Sequence, residues 1–299
     1  MTPSRPLWSS LQRAAAEVLG DEAAARWFVE EASGTPWAQA AGELAPARGE
    51  NALWAMVERR LAGEPVQYVL GHWAFRSLDL MVGPRVLIPR PETEVVVDVA
   101  LAELDRLVAA GPAGGGPGTV VDLGTGSGAI ALCIAAERPT VEVWATDISA
   151  EALEVASANL AGLGARAAGR VRLVAGDWWS ALPERLEGRV TLAVANPPYV
   201  SEGELGTLPP EVACWEPRQA LVAGPDGLEA LRALLAGVGR WLAPGAAFVA
   251  EIAPHQAAQA IALAEGAGLD DVSVQVDLTG RERVLVGRRL FGTGGRTGR

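Results

Sequence analysis

From residue 119 onward the chain alternates strand-like and helix-like segments, and this alternation restricts its fold more than any other feature. The strand-like stretches are TVVDLG, VEVWATD, RVRLVAGD, VTLAVAN, AAFVAEI, DVSVQVDL and ERVLVGRR. Between most of them lie the helix-like stretches GAIALCIAAER, SAEALEVASANLAGL, GLEALRALLAGVGRWL and APHQAAQAIALAEGAG. Strands separated by helices pair in parallel, and a parallel sheet is covered on both faces. Its strands therefore read as near-continuous apolar runs, as these do. The last two strands leave no room for a crossover helix, so one of them is expected to run antiparallel. Hydrophobic residues make up 49% of the 299-residue chain, enough to fill such a core.

The preceding part reads differently. In residues 1–63, LQRAAAEVL and ALWAMVERRLAG place apolar residues at helical spacing. Trp8, Trp27, Trp37 and Trp54 are expected to pack between these short helices. YVLGHWAF and LDLMV then predict the short strands of a hairpin that joins two domains. ETEVVVDVALAELDRLVAA predicts a helix, GPAGGGPG (111–118) a surface loop, and FGTGGRTGR a disordered tail.

Composition excludes several classes of function. A net charge of −11 argues against broad nucleic-acid binding, which depends on neutralising phosphates. No apolar run approaches the ~20 residues that cross a bilayer, and acidic residues interrupt the N-terminus before a signal core forms. The expectation is a cytoplasmic protein with no membrane contact. Cys133 and Cys214 stand far apart, His72 and His255 belong to no ligand cluster, and no metal is expected. Every basic side chain is arginine, so lysine chemistry is ruled out.

The segment VVDLGTGSGAIAL (120–132) is a strand, a glycine-rich turn and a helix start. Gly124, Gly126 and Gly128 allow a tight turn and close approach to a ligand. The next strand ends in Asp147, whose carboxylate can accept hydrogen bonds from both ribose hydroxyls of an adenosine. A nicotinamide cofactor and S-adenosylmethionine both satisfy this pair of features.

The fourth strand of the alternating region narrows the choice. It stops at Asn196-Pro197-Pro198-Tyr199. Two prolines cannot donate to a sheet ladder, so the strand ends there with a stiffened backbone beside an exposed amide. A dehydrogenase has no particular use for that tetrapeptide. An enzyme that methylates a planar nitrogen does. The Asn196 oxygen and a main-chain carbonyl of the prolyl turn can each accept one N–H of an NH2 group. Together they hold its nitrogen in line with a sulfonium methyl and stabilise the charge that grows on it. Tyr199 can stack on the planar group.

With both motifs in place, the chain resembles the methyltransferases with a seven-stranded Rossmann-like fold, an α/β class. More narrowly, it is similar to the release factor glutamine methyltransferases, the HemK/PrmC family. EPVQYVLGHWAF (64–75), VLIPRPETE (86–94), DLGTGSGAIAL (122–132), NPPYV (196–200) and EPRQALVAGPDGL (216–228) carry the resemblance. It implies methyl transfer from S-adenosyl-L-methionine to the side-chain amide nitrogen (N5) of the glutamine in the Gly-Gly-Gln loop of translation release factors. It implies that Gly124, Thr125, Gly126, Ser127, Gly128, Asp147 and Asn196 hold the cofactor, with Asp177 and Trp178 flanking its adenine. Asn196, Pro197, Pro198 and Tyr199 would hold the substrate glutamine, with Asn196, Pro197 and Tyr199 at the chemistry and Asn196 closest to it. Arg90, Glu92 and Thr93 would line the site from the linker side, although Arg90 and Glu92 also read as an ordinary ion pair. Residues 1–63 become a helical substrate-docking domain, 64–92 a hairpin linker, 93–290 the methyltransferase domain and 291–299 a flexible tail. The release factor is the expected partner, and the enzyme is expected to act as a monomer. EIAPHQ (251–256) departs from the family's glycine there, and a local loop effect is expected. A glutamine methyltransferase of a ribosomal protein, an adenine-N6 DNA methyltransferase and a non-enzymatic adenosine-binding module remain as rivals.

Overall fold

The computed structural model describes residues 5–109 and 118–290. The expected surface loop, apart from Gly118, and the expected tail at 291–299 lie outside the described residues. The chain divides into two compact units. One comprises Met1–Trp73 and Pro209–Trp215, the other Ala74–Leu208 and Glu216–Arg299.

In the first unit, helices α1 (Trp8–Leu19), α2 (Glu22–Ser33), α3 (Trp37–Ala40), α4 (Ala47–Leu61) and α5 (Val66–Leu70) follow one another. Asp21 caps α2 by accepting a hydrogen bond from the Ala24 N–H at 3.0 Å. Trp8, Leu11, Phe28, Leu53 and Met56 form the core of this unit. Of the four tryptophans expected in that core, Trp8 is buried and Trp37 and Trp54 are partly buried. Trp27 is instead 39% exposed and meets Trp73 edge-on, with ring centroids 5.4 Å apart. Its place on α2 faces away from the buried stripe of Ala24, Ala25, Phe28 and Val29.

The linker also differs in one respect from the expectation. Tyr68–Leu70, read as strand, belongs to α5. Pro65 precedes that helix and Gly71, at φ +83°, ends it, so the extended run starts only afterwards. Strands β1 (His72–Phe75) and β2 (Leu78–Met81) form a two-stranded sheet.

The second unit continues with α6 (Pro91–Ala109), β3 (Thr119–Leu123), α7 (Ala129–Glu137), β4 (Glu142–Asp147), α8 (Ala150–Gly162), α9 (Ala165–Ala168), β5 (Val171–Ala175) and β6 (Val190–Ala195). After β6 the chain forms the short helices α10 (Pro210–Ala213), which clusters with the first unit, and α11 (Arg218–Leu221). It closes with α12 (Glu229–Trp241), β7 (Leu242–Glu251), α13 (Ala257–Gly266), β8 (Asp270–Val276) and β9 (Glu282–Arg288).

All seven expected strands of the alternating region share one sheet in the order β5-β4-β3-β6-β7-β9-β8. The pairs from β5 to β7 are parallel, and β9 runs antiparallel between β7 and β8. Side chains alternate between two cores. Val120, Leu192, Val194 and Val249 join the core on one face, whereas Val121, Leu123, Ala193 and Phe248 join that on the other. Both faces being covered is why the strands read as unbroken apolar runs. Cys133 is buried within α7, where burial pushes its thiol up to about 12. Among the described residues no helix is long and apolar enough to cross a membrane, and no group of three or more His, Cys, Asp or Glu side chains is arranged to hold a metal ion.

The strand order reverses between β3 and β6. From β3 the chain winds outward through β4 to β5, then returns to β6 on the other flank. Ligands of open α/β sheets bind beyond the carboxyl ends of the strands at such a reversal.

Candidate active site

Four loops leave the carboxyl ends of β3, β4, β5 and β6, and each brings one expected site segment to the point of reversal. They meet the linker segment 84–93 around a cavity of about 350 Å³. That volume lies within the ~300–1,000 Å³ typical of cofactor and small-ligand sites.

Gly124–Gly128 follows β3. The N–H groups of Gly124 and Thr125 donate to the Thr146 carbonyl at 2.9 and 2.8 Å, which folds the loop back over the end of β4. Gly124 has φ +81°, and a β-carbon there would lie 2.9 Å from the Trp178 ring. Glycine at this position is thus needed twice, for the turn and for the tryptophan that covers it. Trp178 itself adopts φ +45°, a left-handed conformation that few bulky residues accept. Asn159 of α8 holds the other side of the loop, donating to the Ser127 carbonyl at 2.8 Å and to Met81 O at 3.1 Å.

Asp147 is the last residue of β4. Its two oxygens accept the Gly126 N–H at 2.8 Å and the Ser149 N–H at 2.9 Å. Burial raises its pKa above the ordinary carboxylate range, with the backbone bonds pulling it back. The Ile148 N–H also bonds this carboxylate, and with four lone-pair directions for three N–H groups acceptor capacity remains. Asp122, inside β3, is fully buried and accepts from Thr125 Oγ1 at 2.6 Å and from Ala131 N–H at 3.1 Å, both on Oδ2. Burial pushes it up to about 7, and its Oδ1 has no hydrogen-bond partner.

Asn196 follows β6. Its Nδ2 donates to Thr93 Oγ1 at 3.0 Å, and Thr93 Oγ1 donates to Glu251 Oε2 at 2.7 Å. Glu251 ends β7 and is 1% exposed. Burial pushes its carboxyl up to about 7, against the hydrogen bond from Thr93 and the charge of Arg283. The Tyr199 hydroxyl reaches the same carboxylate, and burial followed by that carboxylate raises the phenol above its ordinary range. Gln256 pins the loop from behind, its Nε2 donating to Tyr199 O at 3.0 Å and to Gly227 O at 3.1 Å. A β-carbon on Gly227 would lie 2.3 Å from Tyr199 O, so only glycine fits against this turn. The departure in EIAPHQ leaves a 3-10 turn at Pro254–Gln256, with the Ala253 N–H bonded to Gln256 Oε1 at 3.2 Å.

The linker and the 216–228 block also meet. Glu216 is buried, pairs with Arg90 and accepts the Ile88 N–H at 3.2 Å. Arg90 thus pairs with Glu216, not with Glu92. Of the expected site residues, Thr93, Gly124, Thr125, Gly126, Ser127, Asp147, Asp177, Trp178, Asn196 and Pro198 stand on the cavity wall. Gly128 starts α7 behind the wall, and Pro197, Tyr199, Arg90 and Glu92 also lie off it.

Residues 8–71 match the model of the PrmC N-terminal domain, and residues 106–208 match that of the methyltransferase small domain. A release factor glutamine methyltransferase of Cereibacter sphaeroides is 43% identical over 244 residues, covering 82% of this chain and 80% of its own length. One of Moorella thermoacetica is 44% identical over 249 residues, covering 83% and 82%. The chain belongs to the release factor glutamine methyltransferase family. Its fold also resembles the catalytic domain of hMettl16, solved in complex with a MAT2A 3′UTR hairpin, at a TM-score of 0.55 and 14% identity over 72% of this chain and 76% of that one. At that identity the likeness concerns the fold alone.

Sequence reasoning missed several residues around the site of this release factor glutamine methyltransferase family member. Glu251, Gln256, Asn159 and Glu216 all touch expected site segments, and none was singled out. Glu251 and Asp122 did leave a signal, since each is a lone charge in an otherwise apolar strand.

Proposed function

We propose that this chain transfers the methyl group of S-adenosyl-L-methionine to the N5 side-chain amide nitrogen of the Gly-Gly-Gln glutamine in translation release factors, acting as a cytoplasmic monomer. The observation that carries this reading is the orientation of Asn196. Its nitrogen is spent on Thr93, so its oxygen is the end left to accept from an incoming NH2 group.

The residues of the cavity fit the cofactor. The Trp178 ring lies against bare Gly124 on the cavity wall, and a β-carbon at Gly126 would have nothing within 4 Å, so ligand atoms can approach the backbone there. The half-buried Asp147 would supply the acceptor for ribose hydroxyls, Trp178 and Asp177 would flank the adenine, and Gly124–Gly128 would pass the methionyl tail. Bound there, S-adenosyl-L-methionine supplies an electrophilic methyl on a sulfonium.

The chain's own residues then act on the acceptor. An amide nitrogen is a poor nucleophile because its lone pair is delocalised. Asn196 Oδ1 accepts one of its N–H groups, and the prolyl turn Pro197–Pro198 offers a carbonyl for the other. Both acceptors become stronger partners as positive charge grows on the nitrogen, which is differential binding of the transition state. The proton turns acidic once the methyl is attached, so no strong base need act first. Pro198 holds the planar group from the cavity wall, Tyr199 braces the turn behind it against Glu251, and Arg90 and Glu92 support the linker wall. The substrate class follows the relatives, whose names specify release factor glutamine.

The test is transfer of label from S-adenosylmethionine to purified release factor, to the same factor with its motif glutamine changed to alanine, to ribosomal protein and to duplex DNA. Label on the intact factor alone is expected. Label on ribosomal protein or DNA instead would move the same NH2 chemistry to another substrate.

A further inference from the structure

A single buried carboxylate, Glu251, terminates a hydrogen-bond chain that begins at the cavity wall. The Thr93 hydroxyl has one hydrogen, and it goes to Glu251 Oε2. Its oxygen therefore accepts from Asn196, whose Nδ2 stands 3.0 Å away. The direction of the chain is set at its far end, because an ionised carboxylate only accepts. Reverse that end and the chain reverses. A proton on the oxygen that faces Thr93 would make Glu251 the donor and turn the Thr93 hydrogen toward Asn196. The Asn196 amide would then meet it with oxygen and present its NH2 to the cavity. An NH2 facing a substrate NH2 is donor against donor, with no hydrogen bond to position the nitrogen.

We propose that Glu251 is a positioning residue: through Thr93 it fixes which end of the Asn196 amide faces the substrate, and so makes the site select NH2 acceptors. This rests on the reading of the cavity as the methyl-transfer site. The groups facing the carboxylate come from every element packed around it. Thr93 and Glu92 belong to α6, Tyr199 to the turn after β6 and Arg283 to β9, while Arg90 acts on Tyr199 from the linker. Arg283 and the hydrogen bonds favour ionisation; burial and Glu92 oppose it. The balance falls near neutrality, at about 7. The chain then points correctly above that pH and loses its direction below it.

The experiment measures kcat for release factor methylation from about pH 6 to about pH 8 in wild type, Thr93→Val, Thr93→Ser and Glu251→Gln. Thr93→Val is expected to lower kcat by about 10²-fold, the scale of a misplaced reacting group, with S-adenosylhomocysteine affinity near wild type by calorimetry. Thr93→Ser keeps the hydroxyl and should recover most of the loss. Glu251→Gln still offers Thr93 a carboxamide oxygen but cannot ionise, so the acid limb of the wild-type profile should vanish. That comparison is made within one protein and holds even if Thr93→Val folds poorly. The proposal is overturned if Thr93→Val turns over like wild type, if serine restores nothing, or if Glu251→Gln keeps the same acid limb. A wild-type enzyme that labels another NH2 substrate instead overturns the release factor reading alone, and the same variants are then scored on that substrate. Transfer to nothing despite cofactor binding would overturn both.

Discussion

Asn196 and Asp147 stand on one cavity wall, and the proposed reaction gives them different partners, so substituting each should separate binding from chemistry. Asn196→Ala deletes an acceptor that strengthens as charge develops, and kcat is expected to fall by about 10²–10³-fold with little change in cofactor affinity. Asp147→Ala removes a charged acceptor for the ribose, and cofactor affinity should fall first, by about 1.5–3 kcal/mol per lost hydrogen bond. Steady-state kinetics with S-adenosylhomocysteine calorimetry checks both; full turnover in Asn196→Ala would contradict the role given to its amide. Asp122 yields a stability prediction. Its carboxyl sits near 3.9 in an unfolded chain and at about 7 when folded. A raised carboxyl contributes stability that is fully present below the unfolded value and is lost as pH rises through about 7. Asp122→Asn has the same shape and no ionisation, so its melting temperature relative to wild type should rise between about pH 5 and about pH 8. An offset that stays constant over that range would mean Asp122 is not the titrating group. The expected residues Gly124, Asp147 and Asn196 were legible because each punctuates a strand end. Gln256 was not, and Glu251 showed only as a lone charge at a strand end, because their importance lies in contacts with residues 57 and 158 positions away, to Tyr199 and Thr93.

At the scale of elements, α12 carries a conflict between local preference and packing. Gly237 lies inside this helix, where alanine is favoured by about 1 kcal/mol. Yet a β-carbon there would lie 2.3 Å from the Trp179 ring. That ring is buried, stacks on Trp241 with centroids 6.1 Å apart and donates through Nε1 to Leu234 O at 2.8 Å, so it has no room to yield. Overpacking of this kind costs about 1–3 kcal/mol. Gly237→Ala should therefore lower the melting temperature, and a rise would show that the helix repacks freely. The sheet was readable because seven apolar runs end in turn residues and most of them sit a helix apart. The antiparallel strand was readable because no helix fits before it. The short helix α5 was misread because five residues, Val66–Leu70, give no periodicity, and Tyr68 and Val69 favour strands as readily.

Over the whole molecule, motif blocks that the sequence keeps apart are brought to one place. Arg90 and Glu216 are 126 positions apart and paired, and Asn196 and Thr93 are 103 positions apart and bonded. Their resemblance to family blocks was visible in the sequence, whereas these pairings needed the fold. The grouping of Pro209–Trp215 with the N-terminal helices likewise has no local signal, since it depends on packing such as Arg60 with Glu211 at 3.2 Å. The central claim concerns what this assembled site does. The most direct test treats unmethylated release factor with the enzyme and S-adenosylmethionine, then maps the product by tandem mass spectrometry. The account predicts one added methyl, on the side-chain amide of the Gly-Gly-Gln glutamine. A methyl on any other residue, or an unmodified factor from an enzyme that binds the cofactor, would contradict it.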